Sequence, residues 1–156
     1  KTEEIAGFLK EGKNIALVSD AGAPGISDPG NKLIAEITGV QPLQIAPIPG
    51  PSALTAAASV SGFPMDRFLF LGFPPVKKKR NKFFGEVINS KYPVIFYESP
   101  YRILKTLKEL NSLEVVVCRE LTKKFETIYR GTAEETLKQI KNGEDRGEFT
   151  VIVRKK

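Results

Sequence analysis

The stretch VSDAGAPGISDPG, Val18 to Gly30, sets two Ser-Asp pairs among glycines and prolines directly after the apolar run Asn14 to Val18. A carboxylate at Asp20 then stands at the carboxyl end of a buried strand, where α/β folds open their ligand crevices. Ala21, Gly22 and Gly25 let backbone approach a ligand with no large side chain in the way. The competing reading is a strand-to-helix loop in which Asp20 and Asp28 merely cap local amides. A second turn, Pro47 to Ala53 (PIPGPSA), follows another apolar run and leads into a small-residue helix. Free amides at such a helix start suit a carboxylate or a ring nitrogen, although Ser52 also reads as an ordinary N-cap. Two turns of this kind, separated by one helix, place neighbouring strand ends side by side and favour a shared crevice.

Proton chemistry has few candidates. The chain has no histidine, which removes imidazole acid–base catalysis and histidine-ligated metal sites. Glu98, Glu120, Lys123 and Glu126 can accept or hold a proton, but each also reads as a surface or ion-paired residue, so no base is singled out. The basic run Lys77, Lys78, Lys79, Arg80 and Lys82 suits phosphate contact that positions a nucleic acid without reading its sequence. A solvated loop is the alternative. Arg102, Arg119, Lys123 and Lys124 extend that basic set. Tyr101, Phe83 and Phe84 could stack on a splayed base, with core packing the competing fate of the two phenylalanines.

The elements that must carry these residues follow from periodicity. Helices are expected at 3–11, 29–38 (Asp28 capping, Pro29 first), 53–61, 101–110 and 133–142, the last with a Thr132/Glu135 capping box. Strands are expected at 14–19, 43–48, 68–73, 94–97, 113–119, 126–129 and 149–153. Residues 77–82 read as a basic loop or helix start. Apolar strand runs separated by helices define an α/β class with a buried sheet, mixed toward the carboxyl end. The three prolines of 47–51 suggest a boundary, giving 1–48 and 49–156. Residues 7–13 match the start of a phosphate-binding loop. Asn14 replaces the required hydroxyl and the order is helix then strand, so that reading is rejected.

Bulk properties narrow the partners. Twenty-four basic against 18 acidic residues leave a net charge of +6 in 156 residues, favouring an anionic partner such as nucleic acid. One cysteine, Cys118, inside an apolar run cannot build a disulfide framework. No apolar run approaches the ~20 residues that span a bilayer, and the expected setting is cytoplasmic, with no membrane contact. The chain opens at Lys1 within an amphipathic pattern, so it is expected to be a fragment.

VSDAGAPGISDPG, PIPGPSA, FPMDRFLFLGFPP, FYESPYR and CRELTKKFETIYRG, in this order, resemble the ribosomal-RNA-methylating branch of the tetrapyrrole methylase superfamily, from about residue 1 to 153. The resemblance implies S-adenosylmethionine as cofactor and transfer of its methyl group to a cytidine ribose 2′-hydroxyl. The implied substrate is 16S rRNA within the 30S subunit. It implies two α/β lobes with parallel to mixed sheets, usually in a homodimer. The first lobe, 1–48, would be incomplete, lacking its first strand and glycine-rich loop, so the chain alone would bind cofactor weakly and be inactive. Carried over by position, the cofactor contacts are Ser19, Asp20, Ala21 and Gly22 with Ile26 nearby, then Ser52 and Ala53, Tyr97 and Glu98, and Leu121. Residues 147–150 approach the same pocket. The RNA side would be Lys77, Lys78, Lys79, Arg80, Lys82, Arg119 and Lys123. Two other readings stay open: a precorrin-type tetrapyrrole methyltransferase, and a non-catalytic RNA-binding module.

Overall fold

The runs VIFYE, EVVVCR and FTVIV are apolar on both alternating faces, a pattern that demands cover on both sides of a sheet. In a computed structural model, which describes residues 1–40, 42–141 and 145–155, they form its centre. The chain divides into two compact units, Lys1–Ser52 and Ala53–Lys156.

The second unit carries a five-stranded sheet in the order β1-β2-β5-β3-β4, made by Leu69–Phe70, Val94–Glu98, Phe149–Val153, Glu114–Arg119 and Thr127–Thr132. β1 runs parallel to β2, and the β2–β5, β5–β3 and β3–β4 pairs are antiparallel, so the expected mixed α/β sheet is present. Helix α3 (Ala53–Ser61) covers one face, where Ala57 packs with Ile95, Val116, Cys118 and Ile152. Helices α4 (Arg80–Asn89), α5 (Ile103–Leu110) and α6 (Ala133–Lys141) cover the other. There Phe84, Leu107 and Ile140 meet Phe96, Val117 and Val151. The expected capping box forms: the Thr132 amide donates to Glu135 Oε2 at 2.8 Å and the Glu135 amide to Thr132 Oγ1 at 3.2 Å. Residue 142, the expected end of α6, lies outside the described residues. The basic run turned out to lead a full helix, α4, entered through Lys79 in a left-handed conformation (φ 68°).

The first unit contains helices α1 (Thr2–Lys10) and α2 (Asn31–Val40), tied by a Thr2 Oγ1 to Glu36 Oε2 hydrogen bond of 2.8 Å. Helix α2 starts two residues later than expected. The expected strands at 14–19 and 43–48 are not strands in the structure. Among the described residues neither segment has a ladder partner, and a β-strand cannot exist without one. Ile15, Val18, Ile45 and Ile48 are accordingly exposed.

Candidate functional site

The opening loop is held by its own chain. Ser19 Oγ donates to the Gly22 carbonyl at 2.9 Å, and the Ala23 amide donates to the Pro51 carbonyl at 2.9 Å, so the two turns of the first unit dock on each other. Gly22 has φ 73°, and a Cβ there would lie 2.9 Å from the Pro51 oxygen. At Gly25, φ 91°, a Cβ would meet Asn31 Oδ1 at 2.6 Å, while Asn31 Nδ2 donates to the Gly25 carbonyl. These two glycines are therefore required by contacts inside the chain, a reason the residue types alone did not separate from ligand approach. Asp20, Ala21, Gly22 and Ile26 are exposed; Ser19 and Ser52 are half-buried. Ala53 begins α3.

In the second unit, the strand register gathers the remaining candidates at one end of the sheet. Glu98 at the end of β2 faces Phe149 at the start of β5, which faces Arg119 at the end of β3. One step inward, Tyr97, Thr150 and Cys118 form the adjacent row. Strand alternation sends Tyr97 and Glu98 to opposite faces. Tyr97 lies on the α3 face beside Phe70 and Phe73, with ring centroids 5.0 and 5.4 Å away. Leu121, like Phe70, packs against the buried cluster of Ala57, Ile95, Val116, Cys118 and Ile152 on that face. The run FLFLGF marks Phe70 and Phe73 only as strand residues; their ring contacts with Tyr97 add them to this end of the sheet.

Glu98 is 1% exposed and its carboxylate is fully engaged. Oε1 accepts from the Ser99 amide at 2.7 Å and pairs with Arg102 Nε at 3.0 Å; Oε2 accepts from Thr106 Oγ1 at 2.6 Å. Only its backbone can meet a ligand. Arg80 is corrected more sharply: at 4% exposure it is no part of the basic surface. Its guanidinium is buried against Glu109 at 2.8 Å, Thr106 at 2.7 Å and the Pro75 carbonyl at 3.2 Å. Arg119 is buried too, donating to the carbonyls of Arg146 and Phe125. Burial removes both arginines from phosphate contact, since a guanidinium held by internal acceptors has no fork left for an outside anion. Lys77, Lys78, Lys79 and Lys82 are exposed as expected.

The loop after β3 is braced and strained. Glu120 and Thr122 both adopt left-handed backbone, φ 50° and 63°, a conformation that non-glycine residues take only when surroundings impose it. Here the Thr122 amide donates to Glu126 Oε2 at 2.6 Å, and Glu120 Oε1 accepts from the Glu148 amide at 2.8 Å. Lys123 Nζ joins Glu120 at 3.2 Å and Glu148 at 2.9 Å. The Glu148 amide holds the Glu120 carboxyl below its ordinary value, and the Glu148 carboxylate raises the Lys123 ammonium. All four residues considered as proton acceptors are thus committed to structural partners. Burial pushes the Cys118 thiol up to about 11, with Arg130 opposing. Among the described residues no group of three or more histidine, cysteine, aspartate or glutamate side chains is placed to hold a metal ion.

A family model described as Tetrapyrrole (Corrin/Porphyrin) Methylases matches residues 2–137, and the chain belongs to that family. It is similar to proteins named Ribosomal RNA small subunit methyltransferase I. The Thermotoga maritima protein is 40% identical over 157 residues, 98% of this chain and 70% of the relative. That of Xylella fastidiosa is 44% identical over 97% of this chain and 58% of the relative. That of Bacillus subtilis is 40% identical over 96% of this chain and 53% of the relative. The chain therefore spans little more than half of two of these relatives. Among solved structures, the cobalt precorrin-4 methyltransferase CbiF superposes with a TM-score of 0.69 at 18% identity, over 99% of this chain and 71% of that one. A Thermus thermophilus uroporphyrin-III C-methyltransferase complexed with S-adenosyl homocysteine gives 0.59 at 14% identity, over 98% and 73%. At such identities the likeness concerns the fold.

Proposed function

We propose that the chain serves a methyltransferase that uses S-adenosylmethionine to methylate the ribose 2′-hydroxyl of a cytidine in 16S rRNA. The observation that carries this reading is the agreement of name among relatives at about 40% identity, joined to the sheet end that collects Tyr97, Leu121 and Thr150. That end offers aromatic and aliphatic surface at Phe70, Tyr97 and Leu121, which suits an adenosyl group. The cofactor contacts proposed are Ser19, Asp20, Ala21, Gly22 and Ile26 in the first turn, Ser52 and Ala53 in the second, and Tyr97, the Glu98 backbone and Leu121 at the sheet end.

When bound, S-adenosylmethionine would supply a sulfonium-activated methyl group for transfer to the ribose oxygen. An electron-rich ring such as Tyr97 favours a cationic neighbour. The braced loop at 120–126 holds Leu121 without needing to reorganise. Since Glu98, Glu120, Lys123 and Glu126 are all committed elsewhere, the protein's contribution is chiefly orientation of the hydroxyl, with its proton passing to solvent. Lys77, Lys78, Lys79 and Lys82 contact phosphates. We place the enzyme in the cytoplasm, acting on the 30S subunit as a homodimer.

The test is transfer of a radiolabelled methyl group from S-adenosylmethionine to 30S subunits, followed by alkaline hydrolysis of the rRNA. Methylation on the 2′-oxygen yields an alkali-resistant dinucleotide containing cytidine. Label released as a mononucleotide would point to base methylation, and label on a tetrapyrrole but not on RNA would favour the alternative suggested by the fold neighbours.

A further inference from the structure

We infer that Glu98 is a positioning residue which, through Arg80 and Arg102, holds the Lys77–Lys79 loop and Tyr101 as one surface for single-stranded RNA. The inference rests on the RNA reading above and adds residues to it.

Both arginines that surround Glu98 also reach the root of the basic loop. Arg102 pairs with Glu98 Oε1 at 3.0 Å and donates through Nη1 to the Pro74 carbonyl at 2.9 Å. Arg80 donates to Thr106 Oγ1, which in turn donates to Glu98 Oε2, and its Nη1 donates to the Pro75 carbonyl at 3.2 Å. Two consecutive carbonyls are thus pinned by guanidinium groups centred on one buried carboxylate. Immediately beyond them come exposed Val76, Lys77, Lys78 and Lys79. On the other strand of the clamp, Tyr101 directly precedes Arg102 and is 96% exposed.

Two physical points favour a working role for this arrangement. A buried ionic network is a costly way to stabilise a core, since well-packed apolar residues do as well or better; what it fixes is geometry. A tyrosine ring left almost wholly in water gains nothing from folding, yet it is a ready platform for an unpaired base beside cations that meet the phosphates.

The test is fluorescence anisotropy of the full chain with a labelled single-stranded RNA oligonucleotide, alongside calorimetry with S-adenosylmethionine. Tyr101→Ala should weaken RNA binding about tenfold, as loss of one stacked base does, with Tyr101→Phe near wild type and cofactor affinity unmoved by either. Replacing Lys77 and Lys78 by alanine should flatten the salt dependence by roughly 0.7 per lysine, the single-strand value. Arg102→Lys keeps the charge but not the fork, and should weaken RNA binding with cofactor affinity retained. Combined with Tyr101→Ala it should cost less than the product of the single losses, because a mispositioned ring has less to lose. Glu98→Gln should show the same non-additivity. Unchanged RNA affinity in Tyr101→Ala, or strictly multiplicative losses, would overturn this inference alone. A wild-type chain that binds S-adenosylmethionine but no RNA at low salt would overturn the RNA reading beneath it.

Discussion

Two loops of this molecule, one rich in glycine, proline and Ser-Asp and the other without a single glycine or proline, are stabilised in opposite ways. The 19–25 loop of the first unit rests on backbone: carbonyls of Gly22, Gly25 and Pro51 accept from Ser19, Asn31 and Ala23. The 119–126 loop of the second rests on charge, with Arg119, Glu120, Lys123, Glu126 and Glu148 all engaged. The contrast extends to the cores. Among the described residues Ile37 is the one buried hydrophobic of the first unit, whereas Phe96, Leu107, Val117 and Val151 belong to a continuous core in the second. Local hydrogen bonding can shape a loop, but a packed sheet is needed to bury apolar side chains and to hold ionic groups away from water.

Equilibrium denaturation should make the contrast plain. Phe96→Ala is expected to cost about 4 kcal/mol, the usual loss for truncating a buried aromatic residue. Ile48→Ala in the first unit is expected to cost less than about 0.5 kcal/mol, the range of exposed positions; a cost at Ile48 approaching that at Phe96 would abolish the distinction. Next in size, Glu98→Ala should lose about 3 kcal/mol, because it removes the carboxylate beside buried Arg80 and half-buried Arg102. Thr132→Ala should lose about 1 kcal/mol through the α6 cap, with helix content by circular dichroism as the check.

The smallest effects concern titration. The thiol of Cys118, raised to about 11 from 9.0 by burial, should resist alkylation at neutral pH until the second unit unfolds. Rapid labelling of the native chain would mean that the sheet opens more readily than its packing implies. In the charged loop, Glu120 is depressed below 4.5, so its stabilising share is present above that value and is lost as pH falls through the lowered one. Lys123 is raised above 10.5, so its share is present below that value and is lost as pH rises through the raised one. The Glu148 amide resonance should therefore hold steady across the neutral range and shift in acid. A shift near neutrality would show that the Glu120–Lys123–Glu148 contacts do not form in solution.

The amino-acid sequence by itself determined the three central strands of the second unit, the α6 capping box and the family, but not the extent of α4 or the shortness of β1. Those signals are local: apolar runs for VIFYE, EVVVCR and FTVIV, a Thr-x-x-Glu spacing, and long motifs in fixed order. The mixed sheet followed from the short distances between the later strands. Tertiary structure alone decided which strand paired with which, and so that Glu98, Phe149 and Arg119 share one sheet end. It alone buried Arg80 and Arg119 while leaving Lys77 and Tyr101 in water, because a charged residue's fate depends on partners far along the chain. The same dependence left 14–19 and 43–48 without ladder partners, since a strand is completed by its neighbour and not by its own residues.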